Sequence, residues 1–328
     1  MTETEISSKR SHAWIWQMMI CGFFWGTGNT VYGASIANIA FWGATYTAPA
    51  ALLSLLIVRI FQIRKTHEQG ERWFDKTKSS YWRPKGEVSS ADEAASKNSD
   101  DYEFDWKTFL VVLITQGLPP FAGMIIVGQA FKLAFMAQIN QGCITVMFGL
   151  GSILTAIVFY FGHGQAISYL KMFGMTLMIG AGLFLSLDDK SAEEAEEGGL
   201  SSEEMSRYGV LAVAVACAAP CLWTIQAFFY VKLIQSGRFE PMNLAFDGNI
   251  LTYIIGCTLH LAYVLGHDYD ALSLALGSIV GVLQVAGMCF MLVAYSTGPG
   301  GAVQALVSVQ VIWQTLFAAM FLGQMVSN

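Results

Sequence analysis

Nine apolar segments, each roughly long enough to cross about 30 Å of hydrocarbon as a helix, occur in this chain of 328 residues. Of its residues, 54% are hydrophobic and 13% are charged, which excludes a water-soluble domain. The chain is therefore predicted to be an all-α polytopic membrane protein. The predicted spans 1 to 9 cover residues 13–32, 45–63, 109–127, 139–161, 172–187, 208–234, 249–265, 272–295 and 302–322.

The order of apolar segments and short motifs occurs twice along the chain. Trp25 in span 1 and Trp223 in span 6 lie 198 residues apart, whereas Gly162 and Gly323, which close spans 4 and 9, lie 161 apart. One insertion, the long loop after span 2, accounts for the difference between the two offsets. Because five spans in a half is an odd number, we expect an inverted 5+5 helix repeat, as in many secondary transporters.

This repeat divides the chain into segments of different character. We predict a cytoplasmic tail (1–12), a first five-helix repeat (13–187), an acidic linker (188–207) and a second repeat (208–328). The second repeat lacks its last helix, because only four residues follow Gln324. We expect a tenth span to be encoded after Asn328; a protein that tolerates its loss is the alternative. Within the first repeat, residues 64–105 are polar and charged, which predicts a long, largely disordered loop.

Basic residues predict the orientation of the spans. If the N-terminus is cytoplasmic and the spans alternate, 15 of the 18 Lys and Arg residues lie on the cytoplasmic side, as the positive-inside rule requires. The three on the opposite side are Lys132, Lys190 and Arg207. The chain is thus expected to be an integral, multi-pass membrane protein with a cytoplasmic N-terminus and a cytoplasmic 64–105 loop.

Amides and tryptophans inside the spans are the candidate binding residues. Polar groups in hydrocarbon are costly and usually face a cavity or a partner helix, and each glutamine alone is equally compatible with a hydrogen bond between helices. Pro119 and Pro120 are predicted to break span 3 near mid-membrane, where transporters expose polar backbone to substrate. The predicted cavity-lining residues are Trp25, Asn29, Gln116, Asn140, Trp223, Gln226, Gln284, Gln304, Gln310, Trp313 and Gln314.

Several of these motifs resemble the drug/metabolite transporter superfamily, specifically its EamA-like branch. The resemblance depends on Phe24-Trp25-Gly26, the small residues leading into span 4, Phe161-Gly162, Gly174–Gly182, and Gln304 together with Phe321–Gln324. It covers nearly the whole chain outside the tails and the 64–105 loop. It implies ten spans, two cytoplasmic termini and a central cavity lined by spans 1, 3, 4, 6, 8 and 9. Nucleotide-sugar carriers of this superfamily tend to carry an Asn-Lys pair at the start of span 9, where this chain has Gly300–Gln304.

Charged side chains are scarce inside the spans, which limits the substrate. A phosphorylated substrate would require Lys or Arg at mid-membrane, and none is evident. Asp247 at the start of span 7 is a candidate proton or cation site, although it could equally pair with Arg238 or cap its helix. The sequence predicts a secondary transporter that moves a small polar, uncharged or zwitterionic metabolite by alternating access.

A non-transporting accessory subunit of a larger membrane assembly is the alternative function, and it predicts a cavity plugged by side chains. An enzyme is not expected, because the five histidines are scattered and no nucleophile–base pair is visible. No metal or cofactor is expected either, since Cys217 and Cys221 have no third ligand nearby. The expected partners are membrane lipids and a small-molecule substrate, with no nucleic acid; a homodimer or a larger membrane complex is compatible with the sequence.

Overall fold

The structure is a computed structural model that describes residues 13–36, 43–68, 80–85, 101–137, 139, 141–167, 201–267 and 270–322, together with six single positions between 169 and 180. Of the described residues 88% are helical, so the predicted all-α class is confirmed. The long helices, numbered in chain order, are α1 (Ala13–Ile36), α2 (Ala48–Glu68, preceded by the turn Gly43–Tyr46), α3 (Trp106–Val112, Leu113–Gly117 and Leu118–Met136 in direct succession), α4 (Gln141–Phe148 and Leu150–His163), α5 (Ser202–Gln235), α6 (Pro241–Gly266), α7 (Ala271–Thr297) and α8 (Gly300–Val307 and Val309–Leu322).

Six helices in the described part of the chain are long and apolar enough to cross a membrane: α3, α4, α5, α6, α7 and α8. The chain is accordingly a polytopic membrane protein. These six helices correspond to predicted spans 3, 4, 6, 7, 8 and 9. The helices at predicted spans 1 and 2, α1 and α2, have 24 and 21 residues and are not among these six. Most of predicted span 5 (172–187) lies outside the described residues.

The composition of α1 reflects its close packing against two neighbouring helices. This helix packs against α7 and α8, and Gly26 permits the close approach to α8: a Cβ added there would lie 2.6 Å from Trp313 Cβ. Thr30 is buried, and its hydroxyl donates to the Gly26 carbonyl at 2.9 Å. Small and polar residues in α1 therefore serve helix packing rather than lipid contact.

Helix contacts between the two halves of the chain occur in matching pairs. The most extensive contact joins α1 to α7, and the next joins α5 to α3. In the same way α1 packs on α8 and α5 on α4, while α2 packs on α7 and α6 on α3. Each half therefore packs mainly on the other half, and the two halves interlock.

Two clusters of buried apolar side chains form the core. The Tyr295 cluster includes Met18, Cys21, Val112, Phe159, Ala227, Tyr230, Leu244, Val285, Leu292 and Tyr295. The Phe131 cluster includes Tyr32, Val127, Ala130, Phe131, Ala134, Ile144, Phe148, Ala212, Ala216, Ala219 and Val280. Each helix that contributes to both clusters does so at different positions along its axis: in α1, for example, Met18 and Tyr32 are separated by about 21 Å of helical rise. On these helices the two clusters therefore lie at different levels, and the Tyr295 cluster also extends along α2 through Ala48 and Ala51.

Helix α3 is not broken at Pro119-Pro120, so that prediction is wrong. The helix continues over Trp106–Met136, and the two prolines occupy the first turn of its last segment. The distortion that prolines impose by removing N–H donors is instead taken up just before them, where Leu113–Gly117 winds as a π-helix. The hydroxyl of Thr252 in α6 donates to the Gly117 carbonyl at 2.5 Å. Such π segments frequently lie at functional sites.

The described parts of the 64–105 loop, residues 64–68, 80–85 and 101–105, have defined structure. Helix α2 extends to Glu68, and two short antiparallel strands, β1 (Trp82–Pro84) and β2 (Tyr102–Phe104), pair with Trp82 opposite Phe104. We refer to residues 80–85 and 101–105 as the strap. Its Tyr81 ring packs against Phe239 of the Tyr295 cluster at 5.5 Å between centroids. Residues 69–79 and 86–100 of the predicted loop lie outside the described part.

Candidate functional site: a cavity between the two clusters

A cavity of about 160 Å³ lies between the two clusters. The order of residues along the helices places it there: Trp25 lies between Cys21 and Tyr32, and Trp223 lies between Ala219 and Ala227. Side chains from α1 and from α3 through α8 line it. An engineered apolar cavity of roughly 150 Å³ holds a benzene molecule, so this cavity suits a ligand of about one ring.

The structure brings eight of the eleven predicted residues together around this cavity. They are Trp25, Asn29, Gln116, Trp223, Gln226, Gln284, Gln304 and Gln310. They come from both halves of the chain, hundreds of residues apart in sequence. The cavity is hollow at the positions where amides and tryptophans were predicted to meet.

The other three predicted residues are not part of the described lining. Asn140 lies outside the described residues. Trp313 in α8 faces Phe23 of α1 at 5.3 Å between ring centroids. Gln314 lies one helical turn beyond Gln310, where its side chain is fully buried. Its backbone carbonyl accepts a hydrogen bond from the Thr30 hydroxyl at 3.5 Å. The positions of Trp313 and Gln314 follow from the rotation and rise of α8, which an amide pattern alone does not determine.

Sequence reasoning missed the contribution of α6 and of the tyrosines. Asn249 and Tyr253 of α6 line the cavity, although the helix was not expected to reach it. Asn249 has the same sequence signature as the glutamines, an amide within an apolar run. The tyrosines of the lining are Tyr32, Tyr230, Tyr253 and Tyr295.

Hydrogen bonds within the protein engage the nitrogen atoms of two cavity amides. Gln116 Nε2 donates to the Gln226 carbonyl at 3.2 Å, which links the π segment of α3 to α5. Asn249 Nδ2 donates to the Ala245 carbonyl at 2.9 Å. Because a backbone carbonyl only accepts, these bonds assign the nitrogen of each amide, and the side-chain oxygens are the groups that these bonds do not use.

Gln284 differs from these two amides. Its backbone carbonyl accepts a hydrogen bond from Trp25 Nε1 at 3.2 Å, which ties α7 to α1 at the cavity wall. Its side-chain Oε1 is enclosed by the protein and has no hydrogen-bond partner among the described residues. A buried acceptor without a partner costs about 1–3 kcal/mol, so this oxygen lowers the stability of the fold.

Three side chains close the cavity toward the Tyr295 cluster. The Tyr295 hydroxyl hydrogen-bonds Gln304 Oε1 and so joins α7 to α8. The Tyr230 hydroxyl lies 3.2 Å from the Pro241 carbonyl and 3.4 Å from the Leu292 carbonyl. These bonds connect α5, α6, α7 and α8 beneath the cavity, where the polar groups of two buried phenols are satisfied.

Both cavity tryptophans lie directly on glycines of the opposite half. A Cβ on Gly287 of α7 would lie 2.5 Å from Trp25 Cδ1 and Nε1, and a Cβ on Gly123 of α3 would lie 2.6 Å from Trp223 Nε1. Trp223 also meets the Phe148 ring edge to face at 5.5 Å. The glycines leave space for the indoles, and the surrounding contacts hold the rings in place as cavity walls.

No Asp, Glu, Lys, Arg or His side chain is among the described residues that line the cavity. Hydrogen-bonding capacity comes from amides and tyrosine hydroxyls, and the rest of the wall is aromatic, aliphatic or thioether. Burying an isolated carboxylate or ammonium group without a partner is strongly unfavourable. The described lining therefore suits an uncharged ligand.

Asp247 lies away from the cavity and does not pair with Arg238. Its carboxylate is beside the Tyr81 hydroxyl of the strap and the Arg59 guanidinium of α2. Arg238 instead binds the Asp105 carboxylate at 3.3 Å. Asp247 thus belongs to a polar cluster under the strap.

Asp105 is the centre of the contacts that hold the strap. Its carboxylate also pairs with Arg83 of β1 and accepts the backbone N–H of Thr108 at 3.1 Å, and Arg238 donates to the Ser80 carbonyl at 2.6 Å. Burial alone would raise the pKa of Asp105, but the bonds from Thr108 and Arg238 and the charge of Arg83 hold it below its ordinary value. The strap is therefore fastened by an ionised carboxylate.

Among the described residues, no three His, Cys, Asp or Glu side chains lie close enough together to hold a metal ion. Comparison with models of known protein families gives no match. Comparison with curated proteins also gives no match.

Proposed function

We propose that this chain is a secondary transporter that carries a small uncharged or zwitterionic metabolite across a membrane by alternating access. The observation that carries this proposal is a cavity between two packed clusters, lined by side chains from both halves of the chain. Alternating access requires a binding site near mid-membrane that each end of the bundle can close in turn. The Tyr295 and Phe131 clusters are suited to be those two closures.

Matching contacts support an inverted repeat in which α1 to α4 correspond to α5 to α8. In α3, Gly117 faces the backbone of α6 and Gly123 faces Trp223 of α5. In α7, Gly281 faces the backbone of α2 and Gly287 faces Trp25 of α1. The two glycines are six residues apart in both helices, and both pairs are related by one offset of 164 residues. Exchange of the two halves thus converts one set of contacts into the other.

We place the chain, as part of this proposal, with the EamA-like transporters of the drug/metabolite superfamily. The N-terminus is then cytoplasmic, and the strap and the Tyr295 cluster lie at the cytoplasmic end. The hollow cavity favours transport over the accessory subunit, because a structural subunit predicts side chains that fill this space. The amide-rich, uncharged lining favours uncharged or zwitterionic metabolites over phosphorylated ones.

The test is uptake by purified full-length protein in liposomes. Vesicles would be loaded with buffer and exposed to a mixture of small metabolites, and the accumulated compounds would be identified by mass spectrometry. We expect at least one uncharged or zwitterionic compound to accumulate above the level in protein-free vesicles. Accumulation should be lost in Trp25→Ala and retained in Trp16→Ala, since Trp16 is 71% exposed on the outside of the bundle. Uptake by neither the wild type nor Trp16→Ala across the mixture would refute the proposal.

A further inference from the structure

We infer that the cavity selects a compact planar ring that carries an uncharged N–H donor, such as a primary amide on an aromatic ring. This inference rests on the proposed transport function for its biological meaning, but it concerns binding alone. It follows from four properties of the described lining: flat aromatic walls, amides whose nitrogens are already engaged, absence of charge, and size.

The aromatic walls are preorganised for a flat ligand. Trp25 and Trp223 come from opposite halves of the chain and both face the cavity. Each indole is confined by the glycine on which it lies, Gly287 or Gly123, and Trp25 is further held by its hydrogen bond to the Gln284 carbonyl. Rigid aromatic surfaces bind planar rings by stacking and edge contacts with little loss of conformational entropy.

The hydrogen-bonding groups of the wall are biased toward acceptors. The amide nitrogens of Gln116 and Asn249 are engaged by backbone carbonyls, so their side-chain oxygens are the groups left to a ligand. A ligand that donates N–H groups satisfies such oxygens, whereas a ligand that only accepts leaves them unpaired. Leaving buried polar groups unpaired is the main source of strong discrimination in binding sites.

Charge and size complete the description of the ligand. The described lining has no basic group to stabilise an anion and no acid to stabilise a cation, and Asp247 lies away from the cavity beside Tyr81 and Arg59. The volume of about 160 Å³ accommodates one six-membered ring with a small substituent. Benzamide, benzoate and benzamidine match this size and differ mainly in charge and in their donors, so they serve as probes.

The experiment measures binding of the three probes to full-length protein in detergent micelles by isothermal titration calorimetry. We expect benzamide to bind at least about tenfold more tightly than benzoate or benzamidine, since both ions must be desolvated without a partner. Trp16→Ala replaces an exposed tryptophan on the outside of the bundle. This variant should bind benzamide like the wild type. Benzoate binding equal to or tighter than benzamide binding would overturn the inference.

A second variant gives a gain of binding that misfolding does not explain. Asn249→Asp places a carboxylate at one of these acceptor positions with almost no change in shape, so benzamidine should bind at least about tenfold more tightly to it than to the wild type. Unchanged benzamidine affinity in a variant that remains monodisperse would place Asn249 outside the binding site and overturn the inference. If the probes bind in the expected order of affinity but no compound is taken up by the liposomes, the result would count against the transporter proposal alone. Uptake of anionic metabolites together with benzoate binding would count against the selectivity alone.

Discussion

The indole of Trp25 lies on Gly287 so closely that a Cβ at this glycine would be 2.5 Å from two of its ring atoms. Gly287→Ala is therefore expected to displace the indole and to break its hydrogen bond to the Gln284 carbonyl. We predict a loss of probe binding and uptake of about tenfold. Gly123→Ala should act in the same way through Trp223. Tryptophan emission spectra would report the displacement. Gly266→Ala is the matched control, since a Cβ there meets no atom within 4 Å; equal losses in all three variants would contradict the prediction.

Loss of the Asp105 carboxylate should loosen the strap. In Asp105→Asn the ion pairs to Arg83 and Arg238 disappear. We expect the free energy of unfolding at neutral pH to fall by about 1–3 kcal/mol. Thermal unfolding of the purified protein would measure it. Glu68→Gln is the control, because its pair with Arg64 is largely exposed and should contribute little.

The same carboxylate predicts a dependence of stability on pH. Because the pKa of Asp105 is held below its ordinary value of about 3.9, the ionised group stabilises the folded state fully above that value. This contribution is lost as the pH falls through the lower folded pKa. The difference in melting temperature between wild type and Asp105→Asn should therefore shrink on acidification. A difference that stays constant down to about pH 3 would show that Asp105 does not contribute through its charge.

Replacement of Gln314 should stabilise the protein. Both polar atoms of its side chain are buried without a hydrogen-bond partner among the described residues, and the residue lies outside the cavity lining. We expect Gln314→Leu to raise the free energy of unfolding by about 1 kcal/mol or more and to leave uptake unchanged. Denaturant titration and the liposome assay would measure the two effects. A loss of uptake without a loss of stability would show that Gln314 acts in transport after all.

Thr252 supports the π segment of α3 through its bond to the Gly117 carbonyl. In Thr252→Val this carbonyl loses a donor in a buried setting, which should cost about 1–3 kcal/mol. Thr258→Val is the matched control, because Thr258 is exposed and its hydroxyl donates to the Ile254 carbonyl of its own helix at 2.9 Å. Thermal melts of both variants would test the difference, and equal melting temperatures would refute it.

Labelling of introduced cysteines would test the orientation. In a variant without native cysteines, Ser90→Cys in the 64–105 loop should react with a membrane-impermeant maleimide only after the cells are opened. Ser191→Cys in the linker should react on intact cells if the protein resides in the plasma membrane, or in sealed vesicles of opposite orientation otherwise. Labelling of both positions from the same side would contradict the alternating topology.

The positions of helices were predictable because long apolar runs leave few alternatives in a membrane. Predicted span 8 (272–295), for instance, is close to the observed Ala271–Thr297. The side of each helix that points toward the core was harder to predict. Lipid-facing and core-facing residues are both apolar, so the helices show little amphipathic contrast. For this reason the sequence does not distinguish Gln310, which reaches the cavity, from Gln314, which does not, and it does not single out Asn249.

Other features depend on interactions that no local pattern contains. The strands of the strap are three residues each and are held by Arg238, more than 130 residues after Asp105. The intact course of α3 through Pro119-Pro120 depends on a π turn and on Thr252 from another helix. In both cases tertiary contacts outweigh the structure that the local sequence favours.

The π turn at Leu113–Gly117 also sets the angular phase of everything that follows it in α3. Each residue of an α-helix advances the side chains by about 100° around the axis. A π turn holds one residue more than an α turn, so rewinding this segment as ordinary α-helix at unchanged length would rotate Gly123 and Val127 by roughly that angle, carrying one away from Trp223 and the other away from the Phe131 cluster. The winding of this one segment therefore determines which side chains in the rest of α3 face the neighbouring helices.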